Sequence, residues 1–194
     1  MEEVLHSCGH RELVDLETAG RNRDQCRGYL ERSGRCHACT EIQFGAFNRA
    51  AARKADADGL PRLEGTENQI APATTVREKF RLQFEVAAAT VLEAGSPERG
   101  VQLVREYFES QIRRIGDAGT YMDWRHRPWV VLVHNCLVDA SEEQHLAHGG
   151  ALIRAYIALS AATVGSSLQL LEDGRLVLAA VGEAGRGGDV PVSQ

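Results

Sequence analysis

The chain has 194 residues, 43% of them hydrophobic and 25% charged, with a formal net charge of −5 at pH 7. That composition belongs to a globular protein and argues against one that is basic overall and coats nucleic acid. Its apolar runs are too short and too often broken to span a bilayer, and Met1-Glu2-Glu3 does not open a secretory signal, so a cytoplasmic location and no membrane partner are expected.

Two short motifs dominate the first forty residues. They are Cys8-Gly9-His10 and Cys36-His37-Ala38-Cys39. Cys8, His10, Cys36 and Cys39 together offer three thiols and an imidazole, the donor set of a closed four-coordinate structural Zn²⁺ site. His6 and His37 are near enough to replace His10, and a redox pair or unliganded thiols are the other readings of the same cysteines. The cysteine count of five is odd, and a Cys-x-x-Cys pair in a reducing compartment favours metal or redox chemistry over a structural disulfide. Four protein donors would leave no open position for a catalytic water.

Between the motifs, Arg11 to Leu16 alternates as a short strand with Val14 and Leu16 on one side. Ala19-Gly20 ends it. Arg21 to Arg32 has Cys26, Tyr29 and Leu30 at helical spacing, and Ser33-Gly34 stops that helix before Cys36. Such a segment has too few apolar side chains to hold itself together. A structural zinc ion supplies about 10–16 kcal/mol of apparent binding free energy in comparable peptides.

This module is locally basic. Arg21, Arg23, Arg27, Arg32, Arg35, Arg49, Arg53 and Lys54 stand against Asp24, Glu31 and Glu41, a balance of +5 within a chain of −5. That segment is the candidate nucleic-acid surface.

Glu41 to Asp56 continues as a helix with Phe44, Phe47 and Ala51 on one face, and residues 57–61 end it. Thr75-Val76-Arg77-Glu78 reads as a capping box opening the next helix, with a start near Thr66 as the alternative, placing Pro72 near its beginning. Val76, Phe80, Phe84, Ala87 and Val91 form its core stripe. Ser96-Pro97-Glu98 opens a further helix, with Pro97 at the first helical position, that buries Val101, Val104, Phe108, Ile112 and Ile115. Thr120 to Asp123 caps a turn carrying Trp124. Residues 129–138 suit either a buried strand or a helix. A last helix begins near Ser141 with Leu146, Ile153, Ile157 and Val164 inward, and Gly149-Gly150 weakens it, marks its true start or permits close packing against a neighbour. Leu168–Leu171 and Arg175–Ala179 flank Glu172-Asp173-Gly174 as a hairpin, and the Gly-rich tail from Gly182 is expected to be disordered.

The order of these motifs resembles a group of uncharacterised bacterial, phage and mobile-element proteins. They carry a Cys-Gly-His, a Cys-Pro-x-Cys, a Leu-x-Gly-(Ser/Thr)-x-x-Gln-Ile segment, an Ile-Arg pair and an aromatic turn. The corresponding stretches here are Cys8-Gly9-His10, Cys36-His37-Ala38-Cys39, Leu63 to Ile70, Val76-Arg77 and Tyr121-Met122-Asp123-Trp124-Arg125. His37-Ala38 and Pro72 depart from the group's pattern. The resemblance implies a zinc-binding start and a helical body, and no activity.

No phosphate loop, dinucleotide fingerprint or serine elbow occurs. Cys136 near His134, and His145 with His148, are the remaining reactive side chains. A buried inert thiol is the favoured reading of Cys136. The expected architecture is α+β and mainly α. A zinc-ribbon or treble-clef-like module with its following helix (1–57) precedes a helical domain (62–181) with a C-terminal hairpin, then the tail (182–194). The expected function is a non-enzymatic, zinc-stabilised adaptor binding an unidentified protein. The alternative is nucleic-acid binding through residues 21–54, with Trp124 beside Arg125 and Arg127 adding a stacking surface.

Overall fold

The computed structural model describes residues 1–134, 150–163 and 166–180. The protein is α+β and mainly helical, with two small antiparallel hairpins. It divides into two compact units, Met1–Phe47 and Asn48–Gln194. The division falls inside a helix that runs on to Ala57, where residues 57–61 had marked the end of the helical pattern.

In the first unit, β1 (Glu2–Leu5) pairs antiparallel with β2 (Arg11–Val14), in a register that sets Leu5 opposite Arg11 and Val4 opposite Glu12. Sequence alternation predicted β2 alone. β1 has only two apolar residues, so its strand state depends on the partner that the following turn brings back. Val4 and His6 are buried while Leu5 is exposed, the period-two pattern of a strand with one covered face. A 3₁₀ helix (Glu17–Asn22) leads into α1 (Arg23–Arg32), which packs against β1. Cys26 is only half-buried, and Tyr29, expected on the inner face, is exposed. α2 (His37–Ala57) follows. It buries Phe47 and Ala51 as its spacing predicts, but leaves Phe44 exposed.

In the second unit, α2 ends where Gly59 turns with φ 61° and Leu60 donates its amide to the Ala55 carbonyl at 2.9 Å. α3 (Glu67–Glu93) starts at Thr66. The Gln69 side-chain oxygen accepts from the Thr66 amide at 3.2 Å and from its hydroxyl at 2.9 Å. The box at Thr75 is therefore not a helix start: Thr75 lies inside α3, and its hydroxyl donates to Asn48 Oδ1 at 2.7 Å. Pro72 sits early in α3, where it removes one backbone donor.

α4 (Glu98–Arg114) is capped by Pro97, one place earlier than the predicted first helical position. α5 (Ala118–Asp123) is capped by Asp117, which accepts from the Thr120 amide at 2.7 Å. Thr120, the predicted cap, lies within α5. Residues 131–134 are helical, which decides the strand-or-helix question for the described part of that run. α6 (Ala151–Ala162) begins after Gly150, whose φ is 71°. β3 (Ser166–Leu170) and β4 (Leu176–Ala180) form the predicted hairpin, which lies against α3.

The core of this unit is an aromatic cluster. Phe84 stacks on Phe108 with centroids 4.6 Å apart, and Trp129 meets both edge-on at 4.9 and 5.6 Å. The Trp129 indole donates to Thr163 Oγ1 at 2.8 Å. Phe80, Phe84, Ala87 and Val91 of α3 and Val101, Val104, Phe108 and Ile112 of α4 belong to this core as their stripes predict, with Val76 and Ile115 at its partly buried margin.

α6 corrects the predicted face. Leu152, Ala155 and Leu159 are buried, whereas Ile153 and Ile157 are exposed. The helix is apolar on most sides, so periodicity alone offers two stripes. Close approach to α4 selects one: a Cβ at Gly100 would stand 3.0 Å from Ala155 Cβ. Ser141, Leu146, Val164 and the tail from Gly182 lie outside the described residues.

Candidate metal centre

The β1–β2 turn and the start of α2 bring the four predicted ligands together. Ligand atoms of Cys8, His10, Cys36 and Cys39 all lie within 4.8 Å of one another. His10 Nδ1 is 3.7 Å from Cys36 Sγ and 3.3 Å from Cys39 Sγ. Metal–ligand bonds of tetrahedral zinc sites imply edges of about 3.5 Å from sulfur to nitrogen and about 3.8 Å between sulfurs. These residues therefore fit a metal ion, with one pair on a hairpin turn and one at a helix start.

Local backbone rules explain the convergence. Gly9 turns with φ 78°, a conformation that strains other residues. The turn closes through the His6 amide donating to the His10 carbonyl at 2.9 Å. Ser7 then ties the turn to the approach to Cys36, donating its amide (3.0 Å) and hydroxyl (2.8 Å) to the Gly34 carbonyl. Gly34 is needed there, because an added Cβ would stand 2.7 Å from Leu30 Cα.

Amides also face the sulfurs. The Cys36 N–H donates to Cys8 Sγ and the Cys39 N–H to Cys36 Sγ, both at 3.4 Å. The first of these, with the His10 amide next, holds the Cys8 thiol down at about 6. Cys39 moves the other way, up to about 11, chiefly because the Cys36 side chain stands beside it. Crowded thiols do not all ionise next to one another, and a divalent cation reverses that preference for every sulfur it touches.

His10 is the imidazole of the cluster. His6 points to the buried side of the hairpin, with Nε2 3.3 Å from Glu12 Oε2 but without hydrogen-bond geometry. His37 contributes its backbone instead, donating its amide to the same Glu12 oxygen at 3.0 Å. Glu12 thus places a carboxylate at the N-terminus of α2, where the helix dipole favours it. Sequence spacing did not single out Glu12; only the pairing of Val4 with Glu12 sets it on the covered side of the hairpin.

The eight basic residues of 21–54 are divided between the units. Arg21, Arg23, Arg27, Arg32 and Arg35 belong to the first, and Arg49, Arg53 and Lys54 to the second. Arg23 and Arg27 are ion-paired with Glu2, Arg27 also with Glu31, and Lys54 with Asp58. Trp124 is half-buried against the aromatic core, so its ring is only partly available for stacking. His134 Nδ1 lies 3.0 Å from the Tyr156 hydroxyl, while Cys136, His145 and His148 lie outside the described residues. Among the described residues, no helix is long and apolar enough to cross a membrane. No protein-family model, curated protein or solved structure matches the chain.

Proposed function

We propose that this protein is a non-enzymatic, zinc-stabilised cytoplasmic adaptor whose first unit docks a protein partner. Three soft thiolate donors and one imidazole in tetrahedral reach support zinc over harder cations. A donor set closed by four side chains supports a structural ion. Kinship with the mobile-element group, suggested by motif order, is part of the same reading.

One observation carries the adaptor role. Ile42 is 71% exposed, Leu13 63%, Tyr29 60% and Phe44 55%, all within a unit of 47 residues. Large apolar side chains in water on a metal-braced module are the groups that a protein partner covers. The test compares the full chain with Ile42→Glu and Phe44→Glu variants by quantitative affinity purification, with metal content measured alongside. The expected result is loss of the same interactors at unchanged metal content. An unchanged set of interactors would overturn the docking role, and zinc absent from protein purified without added metal would overturn the structural ion.

Nucleic-acid binding is the second reading. Arg21, Arg32 and Arg35 support it, being exposed and free of ion pairs among the described residues. Phosphate contacts strengthen as salt falls. Fluorescence anisotropy with random duplex and single-stranded DNA across a salt series tests this, and no binding even at low salt eliminates it.

A further inference from the structure

A cavity of about 460 Å³ opens in the second unit between the C-terminal half of α2, residues 58–66 and the first turns of α3. Its size is that of a small-molecule site. Arg49, Arg62 and Arg77 line it, with Asp56 as the one carboxylate. Three guanidiniums against one carboxylate leave a net charge of +2 around the opening.

Arg77 is the unusual member. It is only 2% exposed, on a buried face of α3 that also carries Thr74 and Glu78. A buried charge ordinarily has an ionic partner, because desolvation otherwise costs several kcal/mol. Arg77 has one neutral hydrogen bond, from Nη1 to the Pro61 carbonyl at 2.8 Å, and its Nε is buried with no acceptor. The adjacent Glu78 does not serve it, since that carboxylate pairs with Arg81 at 3.0 Å. Arg49 and Arg62 are exposed and free of ion pairs among the described residues.

Apolar side chains complete the cavity: Leu60, Leu63 and Ile70, with alanines of α2 and α3 between them. Leu63 and Ile70 begin and end the Leu63 to Ile70 segment, and Arg77 belongs to the Val76-Arg77 pair. The metal centre leaves both of these motifs without a role.

From this arrangement we infer that the cavity binds a small phosphomonoester with an apolar body, its phosphate held by Arg77 between Arg49 and Arg62. A phosphate monoester carries a charge of about −1.5 to −2 near neutral pH, matching the excess at the opening. Its oxygens suit the forked donors of arginine, and Arg77 lines the cavity with only one neutral hydrogen bond inside the protein. The apolar lining takes the remainder of the ligand.

Isothermal titration calorimetry of the full chain with phenyl phosphate, benzoate and inorganic phosphate tests the inference. Saturable binding of phenyl phosphate is expected, tighter than either of the others. Arg49→Ala and Arg62→Ala, both surface changes, should each weaken it by about tenfold, the scale of one charge-assisted hydrogen bond. Arg99→Ala, an exposed arginine outside the cavity, should leave it unchanged. Arg77→Lys should weaken it more than either alanine variant where that protein folds. Absence of saturable binding by the folded wild type, equal affinity for benzoate or inorganic phosphate, or retention of full affinity by both alanine variants would overturn the proposal.

Discussion

The backbone amide of Cys36 donates to the sulfur of Cys8 at 3.4 Å, joining two residues 28 positions apart in the chain. The hairpin turn and the start of α2 are thus already in register for a shared ion. This geometry directs the thiolate of Cys8 toward the other donors, and the Ser7 hydrogen bonds to Gly34 fix the turn's distance from them.

Removing the metal should therefore affect one unit. The second has its own aromatic core around Phe84, Phe108 and Trp129, while the first buries few apolar side chains. Cys36→Ser, Cys39→Ser or a strong chelator should abolish ordered structure in residues 1–47 and leave near-ultraviolet dichroism from Trp129 in place. Hydrogen exchange resolved by segment checks this. Uniform protection after chelation would show that the ion has no structural role.

Much of the centre was legible in the sequence, and the reason is local. A Cys-x-His turn and a Cys-x-x-Cys pair each place two donors by short-range geometry alone, so Cys8, His10, Cys36 and Cys39 could be named from spacing. What spacing left open was whether His6 or His37 replaces His10, and that depends on the fold, which turns His6 to the buried side and uses the backbone of His37. The inner face of α6 depends in the same way on the close approach at Gly100. The burial of Arg77 was not legible either: the sequence set it only in the Thr75-Val76-Arg77-Glu78 box and the Val76-Arg77 pair, and its hydrogen bond to the Pro61 carbonyl forms only in the folded chain.

Gly100 offers a test in which propensity and packing oppose each other. Alanine is the better helix former, by about 0.5–1 kcal/mol in a helix interior. Yet a Cβ at Gly100 would stand 2.9 Å from the Ala151 carbonyl oxygen, a backbone atom that cannot easily withdraw. Gly100→Ala should destabilise the protein by about 1–3 kcal/mol, the usual cost of overpacking. At Gly28 in α1 the added Cβ meets only the flexible end of Arg32, so Gly28→Ala should be neutral or stabilising. Urea denaturation of both variants decides the sign at each site.

Trp129 should be the costliest single position in the second unit. It is fully buried, meets two phenylalanine rings edge-on and satisfies its indole N–H through Thr163. Trp129→Ala should cost about 3–5 kcal/mol by leaving a cavity. Trp129→Phe keeps most of the apolar contact and loses the hydrogen bond, so it should cost markedly less. Equal losses for the two variants would place the stability in the polar contact.

Asp58 gives the expected dependence on pH. Burial works against its charge, but hydrogen bonds from Lys54, at 2.6 Å, and from Arg81 outweigh that and hold the carboxyl below its ordinary 3.8. A depressed carboxylate contributes stability above its unfolded value and loses it as pH falls through the folded one. Glu78 runs the opposite way: burial raises it above 4.5 despite Arg81, so its contribution falls as pH rises through that raised value. Asp58→Asn should thus be less stable than the wild type at pH 7, by about 1–3 kcal/mol for hydrogen bonds to charged groups. The difference should begin to shrink as pH drops below 3.8, where the unfolded carboxyl takes up its proton, and vanish as pH falls through the lower folded value. Denaturation midpoints of the two proteins from pH 7 to pH 3 measure it. A gap that stays constant across that range would mean that the asparagine variant is destabilised through packing, with the Lys54–Asp58–Arg81 charges contributing little.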